Sequence, residues 1–180
     1  MQTPKDYIIK FIGLSVGQHE FEFDVNDKFF EGLDYSEIKQ GNIRVKITLL
    51  KQAVMMALQF EINGTIKANC DLCTGEFDLP INGNFKLIVK VGGNDAGTED
   101  DDIITIAANE YQLDLSQYIY EYIALSLPIK RVHPDNKKGE STCDKEMLKK
   151  LENFIVEDEG EEEEETTDPR WEQLKKIKLN

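Results

Sequence analysis

Two cysteines with C-x-x-C spacing interrupt a strand-like stretch, and this stretch constrains the fold more than any other. Apolar residues alternate with polar ones before and after the cysteines, at Ile66, Ala68 and Cys70 and again at Phe77, Leu79 and Ile81. Alternation with a period of two is typical of strands that bury one face. The sequence therefore predicts a β-hairpin with Cys70 and Cys73 at its tip. We expect Gly75 to supply the positive φ that this turn requires.

The hairpin tip has the form of half a zinc site. The chain contains three cysteines and two histidines. Structural zinc takes four nitrogen or sulfur ligands in tetrahedral geometry, and Cys70, Cys73, His133 and Cys143 form one such set. The long separation between the two pairs leaves another interpretation open, in which the thiols are reduced and partly buried and the histidine lies on the surface. A thioredoxin-like redox role is disfavoured because that motif opens a helix after a strand.

Alternation elsewhere predicts more strands of the same kind. It recurs in residues 7–12, 20–25, 43–49, 54–62 and 85–91. Two Asn-Gly dipeptides, Asn63-Gly64 and Asn82-Gly83, predict tight hairpin turns between strands. The strands follow one another closely, so the sheet they form has to be antiparallel and curled, or covered by a helix, to bury its apolar face.

One longer helix follows these strands. Asp114 is the expected N-cap, Gln117 its capping-box partner, and Pro128 ends the helix. A shorter helix is predicted nearer the C-terminus, with Cys143 in its first turn, where the helix dipole favours a thiolate. Together these elements predict an α+β fold: a curled antiparallel sheet or partly open barrel of five to seven strands, covered by the capped helix, with C-terminal helices.

The negative charge of the chain is concentrated in two segments. The net charge is −14, with 35 acidic and 21 basic residues, but residues 95–102 and 157–168 hold fourteen of the acidic ones. The rest of the chain is balanced. We therefore divide the chain into a single α+β domain at residues 1–155, an acidic disordered linker at 156–167 and an amphipathic basic helix at 168–180.

The predicted C-terminal helix has a narrow apolar stripe and a basic surface. We expect it either to bind a partner or to dock on the domain's own surface. The residues expected to make the contact are Arg170, Trp171, Leu174, Lys175 and Ile177.

The predicted sheet carries cations on the face opposite its apolar residues. They are Arg44, Lys46, Lys67, Lys86 and Lys90. If their strands are neighbours, these side chains can follow a phosphate backbone, so the outer face is a candidate RNA-binding surface. The alternative is ordinary, because lysine and arginine occupy the solvated side of most half-buried sheets.

No catalytic or membrane signature competes with these features. The sequence contains no G-x-S-x-G, no phosphate-binding glycine loop and no H-E-x-x-H, so we expect no enzymatic activity. No apolar run approaches the length of a membrane span, and the N-terminus lacks the apolar core of a signal peptide. Three cysteines also argue against a disulfide framework, so a cytoplasmic location is expected.

The order of these motifs resembles that of the YceD family, the large ribosomal RNA subunit accumulation proteins. The resemblance starts near Thr65 and extends to the C-terminus. It rests on the C-x-x-C hairpin, then LDLSQYIYEYIALSLPIKRVH, then a lone cysteine, and finally DPRWEQLKKIK. Two departures stand out: Thr74 lies where the family often has a glycine directly after the second cysteine, and the glutamate run before DPRW is unusually long.

This resemblance implies a role in 23S ribosomal RNA accumulation and large-subunit biogenesis, without known catalysis. By motif, Cys70 and Cys73 match the family's hairpin cysteines, and His133 and Cys143 match the later histidine and cysteine. We therefore expect a noncatalytic factor that binds ribosomal RNA or a preribosomal large subunit. The alternative is a zinc-stabilised adaptor that docks a basic protein, such as a ribosomal protein, without RNA contact.

Overall fold

The hairpin that carries the cysteines is formed by two neighbouring strands inside the main sheet of the N-terminal region. The computed structural model describes residues 7–92, 102–136 and 138–154. By its internal contacts the chain divides into two compact units, Met1–Asp144 and Lys145–Asn180. The predicted acidic linker and basic C-terminal helix, with their candidate partner-binding residues, lie outside the described residues.

In its described part, the first unit contains seven strands and two helices. They are β1 (Ile8–Ile9), β2 (Gly17–Val25), α1 (Asp27–Glu31), β3 (Gly41–Lys51), β4 (Met55–Asn69), β5 (Glu76–Val91), β6 (Ile103–Ile106), β7 (Leu113–Asp114) and α2 (Ser116–Leu125). The main sheet has the strand order β2-β3-β4-β5-β6, and β1 pairs with β7 in a separate two-stranded sheet. The predicted α+β class is confirmed. The main sheet is open, and β6 pairs parallel to β5, whereas the other pairs are antiparallel.

The two Asn-Gly dipeptides do not turn, so the hairpin prediction was wrong at both. Asn63 lies within β4, where it pairs with Arg44 on one side and Asn82 on the other. A Cβ at Gly64 would clash with the backbone carbonyl of Asn42, and a Cβ at Gly83 would clash with Ser126 Oγ. Glycine here permits close approach of neighbouring chain segments instead of reversing the chain. β4 and β5 therefore each cover two of the predicted strands.

The apolar face of the sheet is buried beneath α2. Alternation along β3 and β4 is as predicted, with Ile47 and Leu58 fully buried. On α2, Tyr122 packs edge-on against Phe60, with ring centroids 4.9 Å apart, and stacks on Phe85 at 4.5 Å. These aromatic contacts fix the helix across the middle of the long strands.

The start of α2 differs in detail from the predicted capping box. Asp114 accepts a hydrogen bond from the Ser116 N–H at 2.9 Å, as a capping residue does. Gln117 does not complete the box. Its side chain instead accepts from the Tyr35 hydroxyl and donates to Glu121.

The second unit is described only over residues 145–154, which contain one helix. This helix, α3 (Lys145–Glu152), has Met147 and Leu148 half-buried and carries Lys149 and Lys150 in its last turn. Among the described residues, none of the helices combines the length and apolar character needed to cross a membrane.

Candidate metal centre

The hairpin between β4 and β5 closes as predicted, with the cysteines at its tip. The ladder ends at the pair Asn69 and Glu76, and six residues connect the strands. Within the loop, the Cys70 N–H donates to the Gly75 carbonyl and the Thr74 N–H donates to the Cys70 carbonyl, both at 2.9 Å. These bonds fold the loop tightly, so that both Cys70 and Cys73 are buried.

The residue that turns the chain is Thr74, not Gly75. Thr74 has φ of 59°, whereas Gly75 is not among the positive-φ glycines of the described residues. The prediction for Gly75 was therefore wrong. A β-branched residue in this conformation is strained. Gly75 instead lies beside the imidazole of His133. A Cβ at this position would be 3.4 Å from His133 Cε1.

A small loop supplies the other half of the cluster. Asp135 and Ser141 form an isolated antiparallel bridge, and the Asn136 N–H donates to the Glu140 carbonyl at 2.8 Å. The chain thereby doubles back on itself. This brings His133 Nδ1 within 3.7 Å of Cys143 Sγ despite the ten positions between them.

The two halves meet, and four ligand atoms lie within 4.8 Å of one another. Cys70 Sγ is 3.7 Å from Cys143 Sγ, and Cys73 Sγ is 3.4 Å from His133 Nδ1. In a tetrahedral zinc site with the usual bond lengths, sulfur atoms are about 3.8 Å apart and sulfur and nitrogen about 3.6 Å apart. The residues present therefore fit a tetrahedral metal, and all four predicted ligands lie in one cluster.

The cluster is shielded from water. All three cysteines are buried, and none of them forms a disulfide. His133 is half-buried, and its ring packs on Phe77 with the centroids 4.7 Å apart. This contact fixes the plane of the imidazole, so that Nδ1 faces the sulfur atoms.

The electrostatics of the cluster favour one thiolate in particular. Burial raises the pKa of Cys70, but hydrogen bonds from the backbone N–H groups of Cys73, Leu72 and His133 and from the His133 ring outweigh it and lower the pKa to about 6. Negative charge is therefore stabilised at the first hairpin sulfur by backbone donors, as in metal-binding knuckles.

Cys143 behaves differently from the expectation. The Ser141 side chain lowers the pKa of Cys143. Burial and the neighbouring sulfurs of Cys70 and Cys73 together raise it by more, so the net pKa is raised. Cys143 also precedes α3, which begins at Lys145, instead of lying in its first turn. The predicted thiolate stabilisation by a helix dipole was therefore wrong.

The cations predicted for the outer sheet face are exposed or half-exposed, but three of them form ion pairs across strands. Arg44 pairs with Asp24 at 3.4 Å, Lys46 with Glu20 at 3.4 Å, and Lys67 with Asp78 at 2.9 Å. Among the described residues, Lys86 and Lys90 form no ion pair. The face therefore carries both signs of charge, and the five cations do not form one cluster.

Sequence reasoning missed two residues beside the cluster, Asp71 and Arg131. Asp71 occupies a variable position of the C-x-x-C motif, and Arg131 lies two residues before His133. They hydrogen-bond to each other across the two halves of the cluster. Nothing in the local pattern marks this contact, because the two residues are sixty positions apart.

Fold and cluster together define an α+β protein in which a β-hairpin and a later loop converge on a Cys₃His cluster that could hold a metal ion. The sequence model of one protein family, described as large ribosomal RNA subunit accumulation protein YceD, matches residues 58–178. The match begins inside β4 and includes all four cluster residues. This chain belongs to the YceD family, as the motif order predicted. No curated protein and no solved structure shows significant similarity to it.

Proposed function

We propose that this protein is a noncatalytic, zinc-stabilised factor that supports accumulation of 23S ribosomal RNA and biogenesis of the large ribosomal subunit in the cytoplasm. Family membership supplies the ribosomal context. The observation that carries the proposal is the convergence of four nitrogen and sulfur donors from two distant segments.

Zinc is the metal that this donor set favours. Thiolates and imidazole select soft or borderline ions, and Cys₃His is a common composition of structural zinc sites. Four protein ligands leave no open coordination position for water or substrate, which supports a structural role over a hydrolytic one. When bound, zinc would cross-link the hairpin tip to the loop at residues 133–143.

The outer sheet face is the proposed RNA contact. Its cations are Arg44, Lys46, Lys67, Lys86 and Lys90. All five lie on exposed or half-exposed positions of the neighbouring strands β3, β4 and β5, and such side chains can contact RNA phosphates. Such contacts position RNA without reading its sequence.

One observation favours the alternative, an adaptor for a basic protein partner. On the outer face, Asp24, Glu20 and Asp78 already neutralise three of the five cations. A phosphate would have to displace these carboxylates, whereas binding of a basic protein would leave the ion pairs in place. In this alternative the protein partner binds the C-terminal segment, at Arg170, Trp171, Leu174, Lys175 and Ile177.

Sedimentation of ribosomal particles tests the proposal. Cells lacking the protein should contain fewer mature large subunits, and the wild-type protein should restore them. The variant Cys73→Ser should not restore them, while the control His19→Ala, which alters a histidine outside the cluster, should. Unchanged large-subunit levels in cells without the protein would contradict the role itself.

Salt dependence then separates the two binding modes. Binding to phosphates releases counterions, so affinity for purified large-subunit RNA should fall steeply as salt rises. No measurable RNA affinity, together with binding to a ribosomal protein that Trp171→Ala abolishes, would favour the adaptor.

A further inference from the structure

Two residues that are not ligands join the halves of the metal centre. The Asp71 N–H donates to the Arg131 carbonyl at 2.7 Å, and the Arg131 N–H donates to Asp71 Oδ2 at 2.6 Å. The Arg131 Nε also lies 3.8 Å from Asp71 Oδ1. We refer to these contacts as the Asp71–Arg131 clamp.

The carboxylate of Asp71 is the strongest element of the clamp. The ion pair is long, and both side chains are about two-fifths exposed, at 41% and 38%. Exposed pairs of this kind contribute little. The short hydrogen bond from a backbone N–H to a carboxylate is charge-assisted and therefore stronger. It depends on the side chain of Asp71 but only on the backbone of Arg131.

The clamp acts where the site is otherwise weakest. Asp71 follows Cys70 directly, and Arg131 precedes His133 by two residues, so the contact lies next to one ligand of each half. Without it, metal binding would itself have to order the segment that runs from the end of α2 at Leu125 to His133, at a cost in chain entropy. With it, the ligands are already close, and binding requires less ordering.

We propose that the Asp71–Arg131 clamp is a positioning device that pre-organises the Cys₃His cluster for its metal. This inference rests on the zinc site proposed above. It assigns to Asp71 a role in metal affinity that its position between two cysteines does not reveal.

The same hairpin offers a matched control. Asp78 pairs with Lys67 at 2.9 Å, but this pair joins β4 to β5 and does not reach the loop of His133. Replacing Asp78 removes a carboxylate and an ion pair from the same hairpin while leaving the clamp intact.

Competition for Zn²⁺ against a chromophoric chelator tests the clamp on the full chain under reducing conditions. Asp71→Ala should weaken zinc binding by about 10–100-fold, the usual effect of losing a residue that orients metal ligands. Asp71→Asn keeps an oxygen that can accept the Arg131 N–H, so its affinity should stay much closer to the wild type. Arg131→Ala should lose less than Asp71→Ala, because both backbone groups remain. Asp78→Ala should bind as the wild type does.

The Co²⁺ absorption spectrum reports which ligands surround the ion, and Asp78→Ala controls for a general loss of stability. Wild type and Asp71→Asn should give the same thiolate-to-cobalt bands, and Asp71→Ala should reach them only at higher Co²⁺. Equal zinc affinity in wild type and Asp71→Ala, or an equal loss in Asp78→Ala, would overturn the clamp alone. A wild-type chain that binds no zinc would overturn the zinc site and the clamp together.

Discussion

The metal centre and the outer sheet face both concentrate polar chemistry, yet they are built in opposite ways. At the metal centre, four donor atoms are buried and lie within 4.8 Å of one another, and backbone N–H groups point at one sulfur. On the outer face, Arg44 and Lys46 are solvated and point at carboxylates of the neighbouring strand. The centre holds four donor atoms that could bind one metal ion, whereas three of the five cations on the face already pair with carboxylates.

This difference indicates where each kind of residue contributes. Three buried thiols and an imidazole in one cluster match the donor set of a structural metal site and therefore support the proposed metal. Exposed cations carry no such implication, because water solvates them at little cost. The evidence for a metal is therefore structural, while the case for RNA rests on family membership.

The largest expected effect is the loss of a ligand. His133→Ala should destabilise the zinc-loaded protein by more than about 4 kcal/mol, since loss of a structural metal belongs to the small class of severe changes. Thermal or denaturant unfolding measures it. His19→Ala is the matched control, because His19 is a partly exposed residue whose ring hydrogen-bonds to the Ser15 carbonyl, away from the cluster. Equal stability of the two variants would remove the contrast between the two regions.

Zinc removal should reproduce the effect of that ligand change. A chelator should lower the unfolding transition of the wild type towards that of His133→Ala and leave His133→Ala itself unchanged. The physical reason is that binding to the folded state alone adds its free energy to stability. A chelator that shifts both proteins equally would indicate that the stabilising ion lies elsewhere.

A smaller change should act in the stabilising direction. Thr74→Gly removes a β-branched residue from a φ of 59°, which should raise stability by about 1 kcal/mol once the flexibility of glycine is taken into account. Chemical denaturation of the metal-free protein measures the difference. Thr65→Gly, at an extended and exposed position of β4, should instead destabilise. A loss of stability in Thr74→Gly would mean that the threonine hydroxyl, which donates to the Cys73 carbonyl, outweighs the backbone strain.

The smallest effects are expected on the outer face. Arg44→Gln and Lys86→Gln should leave the unfolding transition unchanged, because both side chains are solvated. If RNA binds this face, Lys86→Gln should lower the salt slope of binding by about 0.9 per lost phosphate contact. Arg44→Gln should lower it less, because Asp24 already pairs with Arg44. Identical slopes in wild type and Lys86→Gln would move the RNA contact away from this face.

The sequence predicted what depends on local pattern and donor chemistry. Alternation located the buried faces of β3 and β4, and counting nitrogen and sulfur donors predicted the cluster that includes Cys70 and His133. The sequence did not predict features that depend on contact with a distant segment of the chain. Gly64 and Gly83 look like turn residues, but their role is to let Asn42 and Ser126 approach. The sequence therefore predicted two short strands where the structure has one long strand.

The same limit applies within the metal centre. The bridge between Asp135 and Ser141 closes a gap that made the ligand spacing look unfavourable, and it leaves no periodic signal. The clamp between Asp71 and Arg131 is likewise a contact between segments that are remote in sequence. These features follow from the packing of the loop against the hairpin, which no local window contains.

X-ray absorption at the zinc edge tests the central claim most directly, on the full chain purified under reducing conditions. We predict one zinc per chain with three sulfur neighbours at about 2.3 Å and one nitrogen at about 2.0 Å. Cys143→Ser should lose one of the sulfur neighbours or the metal itself. A wild-type chain that holds no zinc under these conditions, or a zinc shell with fewer than three sulfur atoms, would contradict the account.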